Sequence, residues 1–486
     1  MTTKLAPKDS ASSPEERSRL PQSGARRPLP QRLRFALFVG LIGLCFIGGG
    51  ASRDDAMSLL YLRPAAILLG AAMLLLPGPV ELRAVRVPLF LFLALAAVMA
   101  LQLVPLPPDL WTALPGRASF AEAMNIAGAP QPWRPVSIAP DLTLNSLASM
   151  VVPLAALLGF ATLDREQRLA LLPVLLAAAF LSALLGMAQM AGGESSWLRP
   201  YRITNRDSAV GLFANRNHQA ALLAIAFPML AVWAATSIGP LKRRGMRLVV
   251  AAGLGVFLVP TILVTGSRAG LVLGGLAAAC AWLLYVNEAP GAGRRFGARR
   301  TTLLGVAAIL LMTLLFSYAA FQRAESLQRV LEADFQGEGR WQNLGLLTDL
   351  ATAQLPLGSG FGTFDPLFRI HEPLDALSPF YLNHAHNDLL ELAITGGAPG
   401  LLLLLAAMAW LTAGSVKAFR PRWPRGAEVA HARLGAVAIA LLLVWSLVDY
   451  PLRTPFLATV LAIAAGWLGG SRAVPPPPNA DEGRST

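Results

Sequence analysis

Cysteine occurs only twice in the 486 residues. Both Cys45 and Cys280 lie inside apolar runs, which leaves no candidate for a disulfide framework or a thiolate metal site. Charge is scarce as well: 14% of residues are charged against 55% apolar, with a mean hydropathy of +0.53. Such a chain is far too apolar for an ordinary soluble domain, so a polytopic membrane protein is expected. Lysine is confined to Lys4, Lys8, Lys242 and Lys417. The formal charge of +13 could suggest a nucleic-acid partner, but its distribution along the chain argues against one.

Apolar stretches of spanning length fall at about residues 35–50, 58–77, 88–104, 142–162, 169–192, 216–237, 247–264, 268–286, 302–320, 387–412, 434–450 and 454–470. The predicted fold is therefore an all-α polytopic membrane protein of about 12 transmembrane helices, with a large loop region before the tenth span. If the N-terminus is cytoplasmic, most of the 41 Lys and Arg residues, including every lysine, fall on inner segments. The positive-inside rule then orients the chain and accounts for its basic residues without nucleic acid. Residues 1–34 and 471–486, rich in Pro, Ser and Arg or in proline, read as disordered cytoplasmic tails. The first tail precedes a span rather than a small-residue cleavage site, so no removed signal peptide is expected. Between the tails, 35–192 forms the first five spans with an outer loop at 105–141. Residues 193–412 form a core with an outer loop at 321–386, and 413–470 holds the last two spans.

The long connections at 105–141, 193–215 and 321–386 lie outside, and the basic residues there are all arginine, among them Arg199, Arg202, Arg206, Arg323, Arg329, Arg340 and Arg369. Guanidinium stays charged and grips phosphate through paired hydrogen bonds, so this face suits an anionic, phosphate-bearing ligand. Compositional bias explains most of these arginines, and those beside a span carry more weight. In "GLFANRNHQAALLAIAFPML", Asn215, Arg216, Asn217 and His218 precede a span, where free amides and the helix dipole favour an anion. In "LVTGSRAGLVLGG", Thr265, Gly266, Ser267 and Arg268 interrupt two apolar runs. Helix capping and snorkelling are the competing structural explanations for both stretches.

The densest polar cluster beside a span is "YLNHAHNDLLELAITGGAPGLLLL", residues 381–404. On a helix, His384, Asn387, Asp388, Glu391 and Thr395 would share one stripe and face a cavity rather than lipid. Upstream, Gly358, Gly360 and Gly362 permit a tight irregular turn, expected to shape a re-entrant or surface loop. His371 reads as a solvated loop residue, and His431 lies in a basic inner loop.

"GLFANRNH", "TGSRAG", "GRWQNLGLLTDLATAQLPLGSGFGTF" and "HNDLLELAITGGAPG", in that order with spans between, resemble the O-antigen ligase and O-antigen polymerase superfamily. The resemblance covers roughly residues 195–405, with His386, Asn387, Gly397 and Gly400 in the places of the family's His-Asn, nine residues, Gly, two residues, Gly pattern. "WRPVSIAPDLTLNSL" (133–147) is similar to a loop seen before the family's next span. The resemblance implies an inverting, metal-independent glycosyltransferase of the bacterial inner membrane, with both termini cytoplasmic and the active site periplasmic. It would need no cofactor, and would move a glycan from undecaprenyl diphosphate to a hydroxyl of lipid A-core (ligase) or of another lipid-linked glycan (polymerase). In that chemistry His386 would be the catalytic residue, taking or orienting the acceptor proton. Arg216 and Arg268 would clamp the diphosphate, with Asn217, His218 and Arg340 also on substrate. His384 and Asn387 would hold the acceptor or support His386, and His384 could exchange roles with His386.

Three rivals remain at this level. His384, His386 and Asp388 could bind a metal ion. A transporter would also have twelve spans, but its ionisable groups belong near mid-membrane, whereas these gather at the ends of spans. A non-catalytic scaffold of envelope assembly is the third.

Overall fold

The computed structural model describes residues 28–236, 241–288, 343–374, 377, 382–420 and 426–470. The expected span at 302–320, Arg340 and both distal tails lie outside the described residues. Within them the chain is helical throughout its apolar runs. Helix α1 (Leu29–Gly48) is followed by α2 (Leu59–Leu75), α3 (Arg86–Leu101), the short α4 (Pro108–Thr112) and α5 (Ala118–Ile126), then α6 (Pro140–Ser149) and α7 (Val151–Thr162). Next come α8 (Arg165–Ala191), α9 (Arg216–Ala235), α10 (Leu241–Thr265) and α11 (Arg268–Glu288). After the undescribed segment stand α12 (Leu344–Gln354), α13 (Phe364–His371), α14 (Asp388–Phe419), α15 (Ala427–Trp445) and α16 (Pro455–Gly470). A two-stranded antiparallel ribbon pairs β1 (Pro105–Leu106) with β2 (Arg134–Pro135) inside the loop expected at 105–141.

Among the described residues, eight helical segments are long and apolar enough to cross a membrane, and three shorter apolar helices, α2, α3 and α16, accompany them. The chain is an all-α, multi-pass membrane protein. Helix α1 begins at Leu29, inside the stretch read as a disordered tail through residue 34, because Arg32 and Arg34 extend the first apolar run into a helix end. Beyond its polar first turn, helix α9 is apolar on every face, as a buried helix must be. It packs against α8, α10, α11 and α15. Close approach depends on small residues: a Cβ at Gly270 of α11 would lie 2.7 Å from the Ala220 Cβ of α9.

Two ends of the bundle are chemically distinct. At one, Arg34 and Gln31 of α1 meet Thr162 at the end of α7, and the Gln31 Nε2 donates to Gln167 of α8. At the other lie the starts of α9, α11 and α14, capped by a small second core. That core joins Leu347 and Leu350 of α12, Phe364, Leu367 and Phe368 of α13, and Ile394 of α14.

Helix α14 is broken at Gly397, which has φ 59 in the left-handed region. The glycine loop 358–362 fills that break: Ser359 N donates to Ile394 O at 2.9 Å, and Gly360 N to Thr395 O at 3.0 Å. A Cβ at Gly358 would lie 2.5 Å from Thr395 O, and one at Gly397 would collide with Pro356 O, so this contact needs glycine on both sides. The loop is buried, so of the two expected placements, re-entrant or surface, the surface one does not hold. Gln102 beyond α3 holds it from behind, donating to Leu357 O and Thr395 O and accepting from Phe361 N. Arg117 donates to Gln354 Oε1 at 2.6 Å and to Gly358 O at 3.0 Å, and burial pulls its guanidinium down to about 10.

Candidate functional site

Capping chemistry fixes three helix starts at one end of the bundle. The Asn215 side chain accepts from Asn217 N at 2.8 Å and begins α9. Ser267 Oγ accepts from Gly270 N at 2.9 Å, begins α11, and donates to Asn217 Oδ1 at 2.8 Å, which ties α11 to α9. Asn387 Oδ1 accepts from Leu389 N and Leu390 N and begins α14. Amides expected to greet an anion at these ends are thus partly taken by the chain itself.

The expected stripe from His384 to Thr395 is corrected by that third cap. Helix α14 starts at Asp388, so His384 and His386 sit in the irregular segment before it. His386 has φ 49, a conformation that costs a non-glycine residue about 1–3 kcal/mol and persists only when its surroundings enforce it. His371 likewise proves to be the last residue of α13 rather than part of a loop, although it is exposed as expected.

What encloses these histidines is the turn Pro451–Arg453 and the residues just before it, between α15 and α16. The Tyr450 ring lies 4.4 Å from the His384 ring, 4.9 Å from His386 and 5.2 Å from His218, centre to centre. His384 Nδ1 is 3.1 Å from Glu391 Oε1, while Glu391 Oε2 accepts from Ala385 N at 2.9 Å. His386 Nδ1 is 3.3 Å from Asp449 Oδ1, and the buried His218 reaches the same oxygen at 4.0 Å. Arg453 bridges Asp388 (3.1 Å) and Glu391 (3.0 Å). Burial disfavours its charge, but these two carboxylates outweigh that and hold the guanidinium above its ordinary value. Asp388 N donates to Ser446 O at 2.8 Å, locking the start of α14 to the end of α15.

Each imidazole of the pair therefore presents Nδ1 to a buried carboxylate. The His384 contact is a hydrogen bond and that of His386 an approach within ion-pair distance; a carboxylate beside Nδ1 favours the tautomer with the proton there, leaving Nε2 as the acceptor. Among the described residues no group of three or more His, Cys, Asp or Glu side chains is arranged to hold a metal ion. His384 and His386 instead face separate carboxylates.

Beside this cluster opens a cavity of about 690 Å³. His384, Asp388 and Arg453 form part of its wall, Arg53 and Arg63 another, and Leu404 and Met408 of α14 an apolar part. His386, Arg216, Arg268 and His218 do not line it. His218 is wholly buried, its ring edge-on to Phe213 and Tyr450, and Asn217 is engaged with Ser267. Arg216 is half-buried, with Asp207 Oδ2 at 3.8 Å, and Arg268 is exposed at the start of α11. The structure thus brings His384, His386, Asn387 and His218 into one cluster and ties the starts of α9 and α11 together close by.

Asp449, Tyr450, Arg453 and Arg63 escaped the sequence reading. The first three had a signal of the kind noticed in "TGSR": "DYPLR" is a polar break between the last two apolar runs. Arg63 had another, a charge inside an apolar run.

No curated protein matches the chain. Residues 253–405 match the family model for O-antigen ligase. That stretch holds α11, α12, α13, the glycine loop, His384, His386 and the break in α14; it stops short of Asp449, Tyr450 and Arg453. Residues 253–405 of this multi-pass membrane chain are thus similar to the O-antigen ligase family.

Proposed function

We propose that this protein is a glycosyltransferase that passes a glycan from undecaprenyl diphosphate to a hydroxyl acceptor at the periplasmic face of the bacterial inner membrane. The carrying observation is the His386 Nδ1 to Asp449 Oδ1 contact of 3.3 Å at the end of the bundle where the helix starts gather. His386 Nε2 takes the acceptor hydroxyl proton as the oxygen attacks the anomeric carbon, and Asp449 stabilises the imidazolium that forms. Attack from the face opposite the diphosphate inverts the anomeric centre, and no metal is required. Arg216 and Arg268, at adjacent helix starts, steady the charge that grows on the departing diphosphate. Arg340 and Asn217 are assigned to the same substrate.

His386 is favoured over His384 as the base on two grounds. Glu391 is committed to an ion pair with Arg453, which makes its contact with His384 part of a structural network. The left-handed backbone of His386 is also the conformation that a site enforces rather than one the chain prefers.

Single transfer to lipid A-core, the ligase reaction, is the reading adopted. Repeated transfer to lipid-linked glycan, the polymerase reaction, uses the same groups. The purified full chain in liposomes, given undecaprenyl-diphosphate-linked glycan and lipid A-core, tests both: one glycan per core means ligase, lengthening of the lipid-linked chain means polymerase. Turnover of neither acceptor would contradict the proposal.

A further inference from the structure

Among the described residues three arginines line the cavity, and they differ in what faces them. Arg53 Nε lies 2.8 Å from Asp55 Oδ1. Arg453 bridges Asp388 and Glu391. Arg63 stands within the first two turns of the apolar helix α2, and its guanidinium donates to Asn145 Oδ1 at 2.7 Å and to Asn145 O at 3.3 Å. Its Nε is buried without a hydrogen-bond partner. Among the described residues no carboxylate lies within ion-pair distance of it; Asp54 lines the same cavity farther off.

A cation placed in an apolar helix is costly unless something anionic meets it, and a neutral amide orients a guanidinium without neutralising it. Asn145 leaves donor capacity of Arg63 unused at a cavity wall. The cavity continues from there past Met99 of α3 to Leu404 and Met408 of α14, side chains with no polar group to offer. One end of the space calls for an anion and the other for hydrocarbon, which is the chemistry of a phosphate-bearing lipid.

We propose that Arg63, held by Asn145, binds a phosphate of the lipid substrate inside this cavity, with the lipid's hydrocarbon lying toward Leu404 and Met408. This assignment rests on the proposed transfer reaction for its choice of lipids, and it adds a phosphate contact separate from Arg216 and Arg268. Two lipids share the required chemistry, the undecaprenyl diphosphate donor and the phosphorylated lipid A acceptor.

The test reads equilibrium binding rather than turnover, so its failure is distinguishable from failure of the transfer reaction. Full-length protein in nanodiscs is titrated with undecaprenyl diphosphate, with lipid A, and with undecaprenol, which carries no phosphate. Arg63→Gln is expected to raise the Kd of at least one phosphorylated lipid about tenfold or more, leaving undecaprenol unchanged. A loss for undecaprenyl diphosphate alone identifies the donor as the occupant, for lipid A alone the acceptor, and for both a phosphate subsite that either enters. Asn145→Ala keeps the charge but frees the guanidinium, and is expected to weaken the same lipid about threefold. Wild-type affinity for both phosphorylated lipids in either variant, or an equal loss for undecaprenol, would overturn the assignment.

Discussion

Arg34 and Arg433 at one end of the bundle use their guanidinium groups differently from Arg453 and Arg63 at the other. Arg34 of α1 is wholly buried, and its terminal nitrogens donate to the carbonyl oxygens of Leu76, Gly78, Pro79 and Thr162. It knits the end of α2 and the end of α7 to α1, satisfying carbonyls that helix termini leave orphaned. Arg433 does similar work at that end, pairing with Glu288 and donating to Ala418 O. At the far end Arg453 and Arg63 face a cavity, and their partners are carboxylates and an asparagine. The lesson is that charge inside an apolar chain does not of itself mark a site. A guanidinium whose terminal nitrogens are met by backbone carbonyls is a fastener, whereas one bordering open space beside a neutral amide is available to a ligand.

That contrast can be broken or sharpened by substitution. The largest effect on stability is expected from Arg453→Ala, which strands Asp388 and Glu391 at a buried position. It should cost about 3–5 kcal/mol in reversible unfolding. Adding Glu391→Gln should recover part of that loss, and an undiminished stability in the single variant would show that Arg453 is not the counter-charge described. Next, Arg34→Met should lower stability by about 1–3 kcal/mol through unsatisfied carbonyls, while the transfer rate per folded molecule stays at the wild-type level. A fall in that rate would put Arg34 in the working machinery and erase the distinction between the ends. The smallest change belongs to Asn387→Ala. Loss of the α14 cap should cost about 1 kcal/mol and leave lipid affinity unaltered. A large loss of affinity instead would return Asn387 to the ligand-contact role that the sequence also allowed.

The fold class was plain in the apolar runs, because length and hydropathy alone decide whether a helix can cross a bilayer. Much of the site was legible too: "HAHND" and "ANRNH" announced polar groups that hydrocarbon would not tolerate without a reason. Other features were hidden for physical reasons. Capping by Asn387 stops α14 before it reaches His384, and periodicity counted along the sequence cannot see a cap that ends the period. Gly397 stands in the family pattern and Gly358 in an expected turn, but that their backbones meet is hidden, since the constraint is a contact between segments far apart in the chain. Asp449, Tyr450 and Arg453 occupy so brief a gap between two spans that the run of hydrophobicity on either side masks them. His218 was read as a ligand contact because it sits at a helix start, yet its side chain points into the packing around Phe213 and Tyr450.

The central claim is that His386, oriented by Asp449, is the base that activates the acceptor. Initial rates of glycan transfer by His386→Ala and His384→Ala proteins, reconstituted side by side in liposomes, test it most directly. His386→Ala is expected to lose about 10²–10⁴-fold in kcat with lipid binding preserved, and His384→Ala to retain most of its kcat while its KM rises. Transfer by His386→Ala at the wild-type rate, or a loss confined to His384→Ala, would contradict the account.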